Sequence, residues 1–97
     1  MNLQEATEAV KAKVGTESGL GATVKFALDE GVIYLDGKTV PNVVSNEDKD
    51  AECTIRVTLE NFSKMLAGDL DATLAFMTGR LKVEGNMGIA MKLSSVL

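Results

Sequence analysis

The chain has 97 residues, of which 45% are hydrophobic and 25% are charged, and its formal net charge at pH 7 is -4. These values are typical of one globular domain and exclude an extensively disordered chain. The negative charge also argues against nucleic-acid binding, which normally needs a clustered positive field. We therefore expect residues 1–97 to form a single domain with one core and room for a modest pocket.

The acidic residues are concentrated in the first half of the chain. Residues 1–52 contain ten acidic and five basic residues, whereas residues 53–97 contain four acidic and five basic ones. The basic side chains Arg80, Lys82 and Lys92 could face an anionic lipid headgroup. An ordinary solvated surface explains the same charges more simply, so we expect at most a transient contact with a membrane surface.

The sequence predicts no export or membrane-insertion segment. Glu5 and Glu8 lie where a signal peptide would have its apolar region, and no uninterrupted apolar run exceeds four residues. The single cysteine, Cys53, cannot form a disulfide within the chain, so the composition does not require an oxidising compartment. We therefore expect a cytoplasmic protein.

An amphipathic helix is predicted at the start of the chain. Asn2 can cap this helix, because its side chain can accept a hydrogen bond from a free amide of the first turn. Gly15 is expected to end it. The polar residues 16–21 that follow are interpreted as a loop.

A β-hairpin and a short edge strand are predicted next. Apolar and polar residues alternate over residues 24–28, which is typical of a strand with one buried face. A turn at Glu30-Gly31 leads into a second strand over residues 32–35. Residues 39–44 could form a further short strand, but Pro41 restricts it to an edge or a strand end.

The central part of the chain predicts one strand and two short helices. Residues 53–57 alternate again between apolar and polar, as a half-buried strand does. Thr58 can cap the first helix and Gly68 can end it, whereas Asp71 and Gly79 have the same roles for the second. The second helix is apolar on nearly all sides, so we expect it to be covered from several directions.

Between residues 79 and 93 the hydrophobic period changes from that of a strand to that of a helix. Leu81 and Val83 alternate with charged residues, whereas apolar residues after the glycine corner of residues 85–88 recur at helical spacing. Asn86 can cap this last helix. The corner lacks the third glycine of a dinucleotide fingerprint and the lysine of a phosphate-binding loop, so we interpret it as a strand-to-helix junction.

These elements together predict an α+β fold. The early strands should be antiparallel, because they are joined by short turns. The two short helices act as a crossover between the strand at Cys53 and the strand at Leu81. A mixed, mostly antiparallel sheet with its helices packed on one face is therefore the simplest arrangement.

Residue types that support common catalytic mechanisms are scarce. The sequence has no histidine and no tryptophan, one tyrosine and one cysteine, so the usual general base and the commonest metal ligand are missing. Asp69 and Asp71 could share a proton or bind a cation, although helix capping already explains Asp71. The acidic residues 47–52 lack the glycine and terminal glutamate of an EF-hand loop. We expect no enzyme activity, no metal and no cofactor.

Four methionines are concentrated in the last third of the chain, on the three later helices. Met65, Met77, Met87 and Met91 have flexible thioether side chains that can adapt to ligands of varying shape. The same side chains also fill ordinary cores, and periodicity alone favours the core interpretation.

Three segments, Ala51–Ile55, Phe62–Gly68 and Ala75–Leu93, resemble the type 2 sterol carrier protein family. The resemblance implies a five-stranded sheet covered on one face by helices that enclose an apolar tunnel. It also implies binding and transfer or presentation of fatty acids, fatty acyl-CoA or sterol-like lipids, without catalysis by the domain itself.

Carried over by position, the resemblance assigns the lipid-binding lining to the three later helices and to strand residues that face inward. The predicted lipid-binding residues are Phe26, Leu28, Ile55, Val57, Phe62, Met65, Leu66, Leu74, Phe76, Met77, Met87, Ala90 and Met91. The terminal Ser95-Val-Leu97 differs from the peroxisomal Ser-Lys-Leu signal, which argues against a peroxisomal location. The compact length is typical of a stand-alone microbial member, which we expect in the cytoplasm.

Two functions remain open from the sequence. The first is a non-enzymatic carrier that binds a small-molecule lipid. The second is an interaction or dimerisation module that uses the same apolar groove and is accessory to a lipid-metabolising enzyme. We expect a monomer or a weak homodimer in either case.

Overall fold

The computed structural model describes residues 1–15 and 19–96, with side chains described up to Leu93. The predicted loop over residues 16–21 therefore lies partly outside the described residues. The elements are α1 (Leu3–Val14), β1 (Thr23–Leu28), β2 (Gly31–Asp36), β3 (Val43–Ser45), β4 (Cys53–Val57), α2 (Leu59–Leu66), α3 (Ala72–Met77), β5 (Leu81–Gly85) and α4 (Met87–Val96).

The five strands form one mixed sheet in the order β3-β2-β1-β4-β5. Strands β1 and β4 are parallel, with Phe26 opposite Ile55. The other neighbouring strands, β1–β2, β2–β3 and β4–β5, are antiparallel. Helices α2 and α3 lie between β4 and β5 in the chain, and the predicted mixed, mostly antiparallel sheet is confirmed.

One face of the sheet is buried under the helices. Inward-facing residues of β1, β2, β4 and β5 share one hydrophobic core with residues of all four helices. The opposite face is polar. There Lys25 Nζ lies 2.9 Å from Asp48 Oδ1, and Arg56 Nε lies 2.7 Å from Glu84 Oε2. The helices therefore pack on one face, as the sequence predicted.

Local hydrogen bonds explain where the helices begin. The backbone N–H of Glu5 donates to Asn2 Oδ1 at 2.8 Å, and the Glu5 side chain accepts in return from the Asn2 backbone at 3.0 Å. The Asn61 N–H donates to Thr58 Oγ1 at 3.2 Å. The Thr73 N–H donates to Asp71 Oδ1 at 3.0 Å. The predicted caps of α1, α2 and α3 are therefore confirmed.

The junction between β5 and α4 depends on Gly85. Its φ is +92°, and a Cβ at this position would lie 2.5 Å from the backbone oxygen of Glu52. Asn86 Oδ1 then accepts hydrogen bonds from the N–H groups of Gly88 at 2.9 Å and Ile89 at 3.3 Å. Residue 85 must therefore be glycine for both conformational and steric reasons, whereas Gly88 lies in the first turn of α4.

The positions of two elements differ from the sequence prediction. The hairpin turn is Asp29-Glu30, one residue earlier than predicted, because Gly31 pairs with Leu28 as the first residue of β2. Strand β3 begins only at Val43, beyond Pro41. Proline has no N–H to donate to a strand ladder, so pairing starts after it.

Candidate functional site

An apolar pocket of about 540 Å³ lies between the sheet and the helices α2, α3 and α4. Its lining residues are Phe26, Ile55, Phe62, Met65, Leu66, Gly68, Leu70, Asp71, Ala72, Thr73, Phe76, Leu81, Val83, Met87, Ala90, Met91 and Leu93. Fourteen of these seventeen residues are apolar. Small-molecule pockets in proteins commonly measure about 300 to 1,000 Å³, so this pocket has the size of a ligand site.

The floor of the pocket is formed by neighbouring strands. Phe26 of β1 and Ile55 of β4 lie opposite each other in the parallel pair, and Ile55 lies opposite Val83 of β5. Residues that are paired across strands point to the same face of a sheet. The Phe26 ring also packs against Phe62 of α2, with 5.0 Å between ring centroids. The floor is therefore continuous with the protein core.

Helical spacing places the lining residues of α2, and likewise those of α4, on one face of their helix. On α2, Phe62, Met65 and Leu66 are three and four residues apart and therefore share a face. On α4 the same spacing relates Met87 and Ala90, which lie on the pocket side. Helices α2 and α4 thus each contribute at least one flexible methionine to the lining.

The pocket is open along α3 and α4. Phe76 is 44% exposed, Met87 is 45% exposed and Met91 is 71% exposed, although all three line the pocket. Large apolar side chains that are both exposed and grouped at one opening are unusual on a monomer surface and mark an interaction site. The described residues form an open pocket, and an enclosed tunnel stays a prediction.

The polar part of the lining is confined to one short segment. Gly68, Asp71 and Thr73 all belong to the connection between α2 and α3 or to the first turn of α3. Asp71 and Thr73 are exposed to solvent. The pocket therefore has a polar, hydrated end and an apolar remainder.

Nine of the thirteen residues predicted to bind lipid line this pocket. They are Phe26, Ile55, Phe62, Met65, Leu66, Phe76, Met87, Ala90 and Met91. The structure brings these residues together, and their contact with lipid stays a prediction.

The remaining four predicted residues lie outside the lining. Leu28 and Val57 are the last residues of β1 and β4, about 7 Å along the strand from Phe26 and Ile55. Leu74 is 51% exposed and Met77 is 76% exposed. The expectation that α3 is covered from several directions is therefore wrong: only Ala75 of this helix is buried.

Sequence reasoning missed eight lining residues. They are Gly68, Leu70, Asp71, Ala72, Thr73, Leu81, Val83 and Leu93. The sequence shows the alternation of Leu81 and Val83 but not the pairing of β5 with β4. With that pairing, both residues are identified as part of the floor. The segment from Gly68 to Thr73 has no hydrophobic period, so no pattern in it pointed to the pocket.

The described residues offer little catalytic chemistry. Cys53 is fully buried in β4, and burial raises the pKa of its thiol, which disfavours the reactive thiolate. Within residues 1–15 and 19–96, no group of three or more His, Cys, Asp or Glu side chains could hold a metal ion. No helix in the same part of the chain is long and apolar enough to cross a membrane.

Comparisons with known proteins agree with this geometry. Hydroxysteroid dehydrogenase-like protein 2 of Xenopus laevis is 31% identical over 102 residues, an alignment that covers 98% of this chain and 24% of that protein. The chain thus spans about a quarter of this relative. Sterol carrier protein 2 of Yarrowia lipolytica, in its apo form, has 25% identity and a TM-score of 0.72, with 96% of this chain and 73% of that chain covered.

The palmitated SCP2L2 of Aedes aegypti has the same fold, with a TM-score of 0.74 at 22% identity, and the match covers 99% of this chain and 94% of that chain. The model of the SCP-2 sterol transfer family matches residues 3–97. The chain therefore belongs to the SCP-2 sterol transfer family, whose domain binds lipids.

Proposed function

We propose that residues 1–97 act as one lipid-binding domain that carries or presents a long-chain apolar lipid in the pocket. Candidate ligands are fatty acids, fatty acyl-CoA and sterol-like lipids. The observation that supports this proposal best is the apolar pocket of about 540 Å³, open on the side of α3 and α4. A closed core would not leave space of this size between three helices and a sheet.

The apolar lining supplies enough free energy for useful binding. Burying about twelve methylene groups contributes roughly 10 kcal/mol, at about 0.8 kcal/mol each. Loss of ligand freedom and ordering of the chain subtract several kcal/mol from this value. We expect micromolar dissociation constants, which suit a carrier that must also release its ligand.

The methionines favour a broad ligand range over a single ligand. Met65, Met87 and Met91 come from two helices and line the pocket from different sides. Their unbranched side chains can repack around chains of different length or around a ring system. We therefore propose that the domain accepts several lipid classes.

The proposal is tested by recovering and displacing bound lipid. Native mass spectrometry of the purified protein should detect an apolar ligand, and fatty acids should displace a fluorescent fatty acid from the pocket. The lipid should be recovered chemically unchanged, since we propose no catalysis by this domain. The absence of any bound lipid, together with no displacement across lipid classes, would refute the proposal.

Two residues of α3 provide a matched pair of variants. Phe76 lines the pocket, whereas Leu74 does not, and about half of each side chain is exposed. Phe76→Ser should weaken lipid affinity about four- to tenfold, because about half of the 1.5 to 3 kcal/mol that a buried side chain contributes is lost. Leu74→Ser should leave affinity unchanged. Equal effects of the two substitutions would place the ligand elsewhere.

We also propose a transient contact between the domain and a membrane surface during lipid transfer. Leu74 and Met77 are exposed on the helix that borders the open side of the pocket. Arg80 and Lys82, which are also exposed, follow this helix and would attract anionic lipid headgroups. Replacing both Leu74 and Met77 with serine should reduce sedimentation of the protein with phosphatidylserine vesicles and slow lipid transfer. If the substitutions had the same effect with neutral vesicles, the basic residues would have no part in the contact.

We propose that the domain is a monomer or a weak homodimer located in the cytoplasm. The family match does not favour the alternative of an interaction or dimerisation module. Analytical ultracentrifugation distinguishes the lipid carrier from the interaction module. A stable dimer that buries the open side of the pocket and excludes lipid would support the interaction module. Cell fractionation tests the location.

A further inference from the structure

The polar end of the pocket fixes how an amphiphilic lipid would lie in it. Apart from the segment of residues 68–73, the lining consists of apolar side chains. A polar head group buried among such side chains would lose its hydrogen bonds to water without replacement. Asp71 and Thr73 are the lining residues whose side chains can form hydrogen bonds, so an amphiphile with its tail over the floor of the pocket finds side-chain partners for its head group beside these two residues. This step rests on the proposed lipid-binding function.

The charge at this end is negative. Asp71 is the one ionisable residue among the seventeen that line the pocket, and none of them is a lysine or an arginine. Asp69, a second exposed acid, lies two residues away. Lys64, the preceding base in the chain, has its Nζ 3.9 Å from Glu60 Oε1. A head group at this end therefore meets a carboxylate without a matching cation in the lining.

The Asp71 carboxylate is held in place and can still accept hydrogen bonds. Its Oδ1 accepts from the N–H of Thr73 at 3.0 Å, which orients the side chain at the start of α3. An ionised carboxylate has about four acceptor positions and no donor. A hydroxyl head group can donate to it, whereas a carboxylate or phosphate head group cannot and is repelled.

We infer that Asp71 is a specificity-determining residue that disfavours lipids with anionic head groups and favours lipids of similar length with an uncharged, hydroxyl-type head group. Two unit charges about 4 Å apart in a water-like medium interact strongly enough to change an equilibrium constant about five-fold. Salt screens interactions between exposed charges, so the discrimination decreases as ionic strength rises.

The experiment compares hexadecanoate with 1-hexadecanol as competitors for a neutral fluorescent lipid probe at pH 8. The test variant is Asp71→Asn, because asparagine caps helices about as well as aspartate. The control is Asp50→Asn, which removes one negative charge from the exposed loop between β3 and β4. Unchanged melting temperatures establish that both variants are folded.

Asp71→Asn should raise the affinity for hexadecanoate about five-fold at low salt and leave the affinity for 1-hexadecanol within two-fold of the parent value. The gain should largely disappear in 0.5 M salt, and Asp50→Asn should not change the ratio of the two affinities. Equal behaviour of the two variants, or no change in the ratio, would overturn the role of Asp71 while lipid binding itself stands. Failure of both lipids to displace the probe would overturn the proposed function as well.

Discussion

The junction between β5 and α4 offers a sharp test of how the pocket is built, through the substitution Gly85→Ala. Gly85 has a φ of +92°, and an added Cβ would lie 2.5 Å from the Glu52 oxygen and 3.4 Å from the Cys53 Cα. The obstructing atoms belong to the backbone of the neighbouring chain segment. They cannot move aside as a flexible side chain can.

The expected loss of stability follows from two contributions. An L-residue in this region of φ costs about 1 to 3 kcal/mol. Relief of the close contact must displace the backbone near Glu52, whose oxygen accepts from the Asn86 N–H at 3.1 Å, and loss of that hydrogen bond costs about 1 kcal/mol. The free energy of unfolding should fall by about 2 to 4 kcal/mol. In a domain of this size the melting temperature should then fall by at least about 10 °C.

Gly88→Ala is the matched control three residues along the chain. Alanine is favoured over glycine inside a helix by about 0.5 to 1 kcal/mol. An added Cβ would lie 3.1 Å from Asn86 Oδ1, which partly disturbs the helix cap and offsets that gain. The net change should stay within about 1 kcal/mol of zero.

Urea unfolding followed by far-UV circular dichroism measures both variants, with an unchanged m-value as the check on two-state behaviour. Because α4 forms one wall of the pocket, Gly85→Ala should also bind lipid more weakly than Gly88→Ala. If Gly85→Ala lowered the free energy of unfolding by less than 1 kcal/mol, or no more than the control, our account of the junction would be refuted.

Three further predictions concern polar interactions away from the pocket floor. Asn46→Ala should lower the free energy of unfolding by about 1 to 2 kcal/mol in urea titration, since Asn46 Nδ2 donates to the buried Thr7 hydroxyl at 3.0 Å and to the Val32 oxygen at 2.9 Å; an unchanged midpoint would contradict this. A hydrogen bond from Arg56 holds the pKa of Glu84 below its ordinary value of 4.5, so the stabilisation is present above pH 4.5 and is lost as the pH falls through the lowered pKa of the folded state. Glu84→Gln should therefore lose less stability than the parent between pH 7 and pH 3 in thermal melts, and parallel curves would argue against the ion pair. Asp71→Ala should cost about 1 kcal/mol by loss of the α3 cap, whereas Asp71→Asn should cost only a few tenths; equal melting temperatures for the two would exclude capping as the cause.

The sequence by itself determined which elements form and where the helices begin. Asn2, Thr58, Asp71 and Asn86 were each identified as helix caps, and each accepts the expected hydrogen bond. Such interactions join residues no more than three positions apart, so the local sequence contains all the participants. The alternation of apolar residues in the strands is local in the same sense.

The tertiary structure alone decided which apolar residues belong to the core, to the pocket or to the surface. On α4, Leu93 is buried and Met91 is largely exposed, although both are apolar residues of the same helix and both line the pocket. On α3, Leu74 and Met77 are outside the lining altogether. Core and pocket wall have the same apolar chemistry, so the difference depends on which element packs against each residue, and that information is not local. The same reason explains why the sequence, in which helix capping accounted for Asp71, did not identify it as the charged residue of the pocket lining.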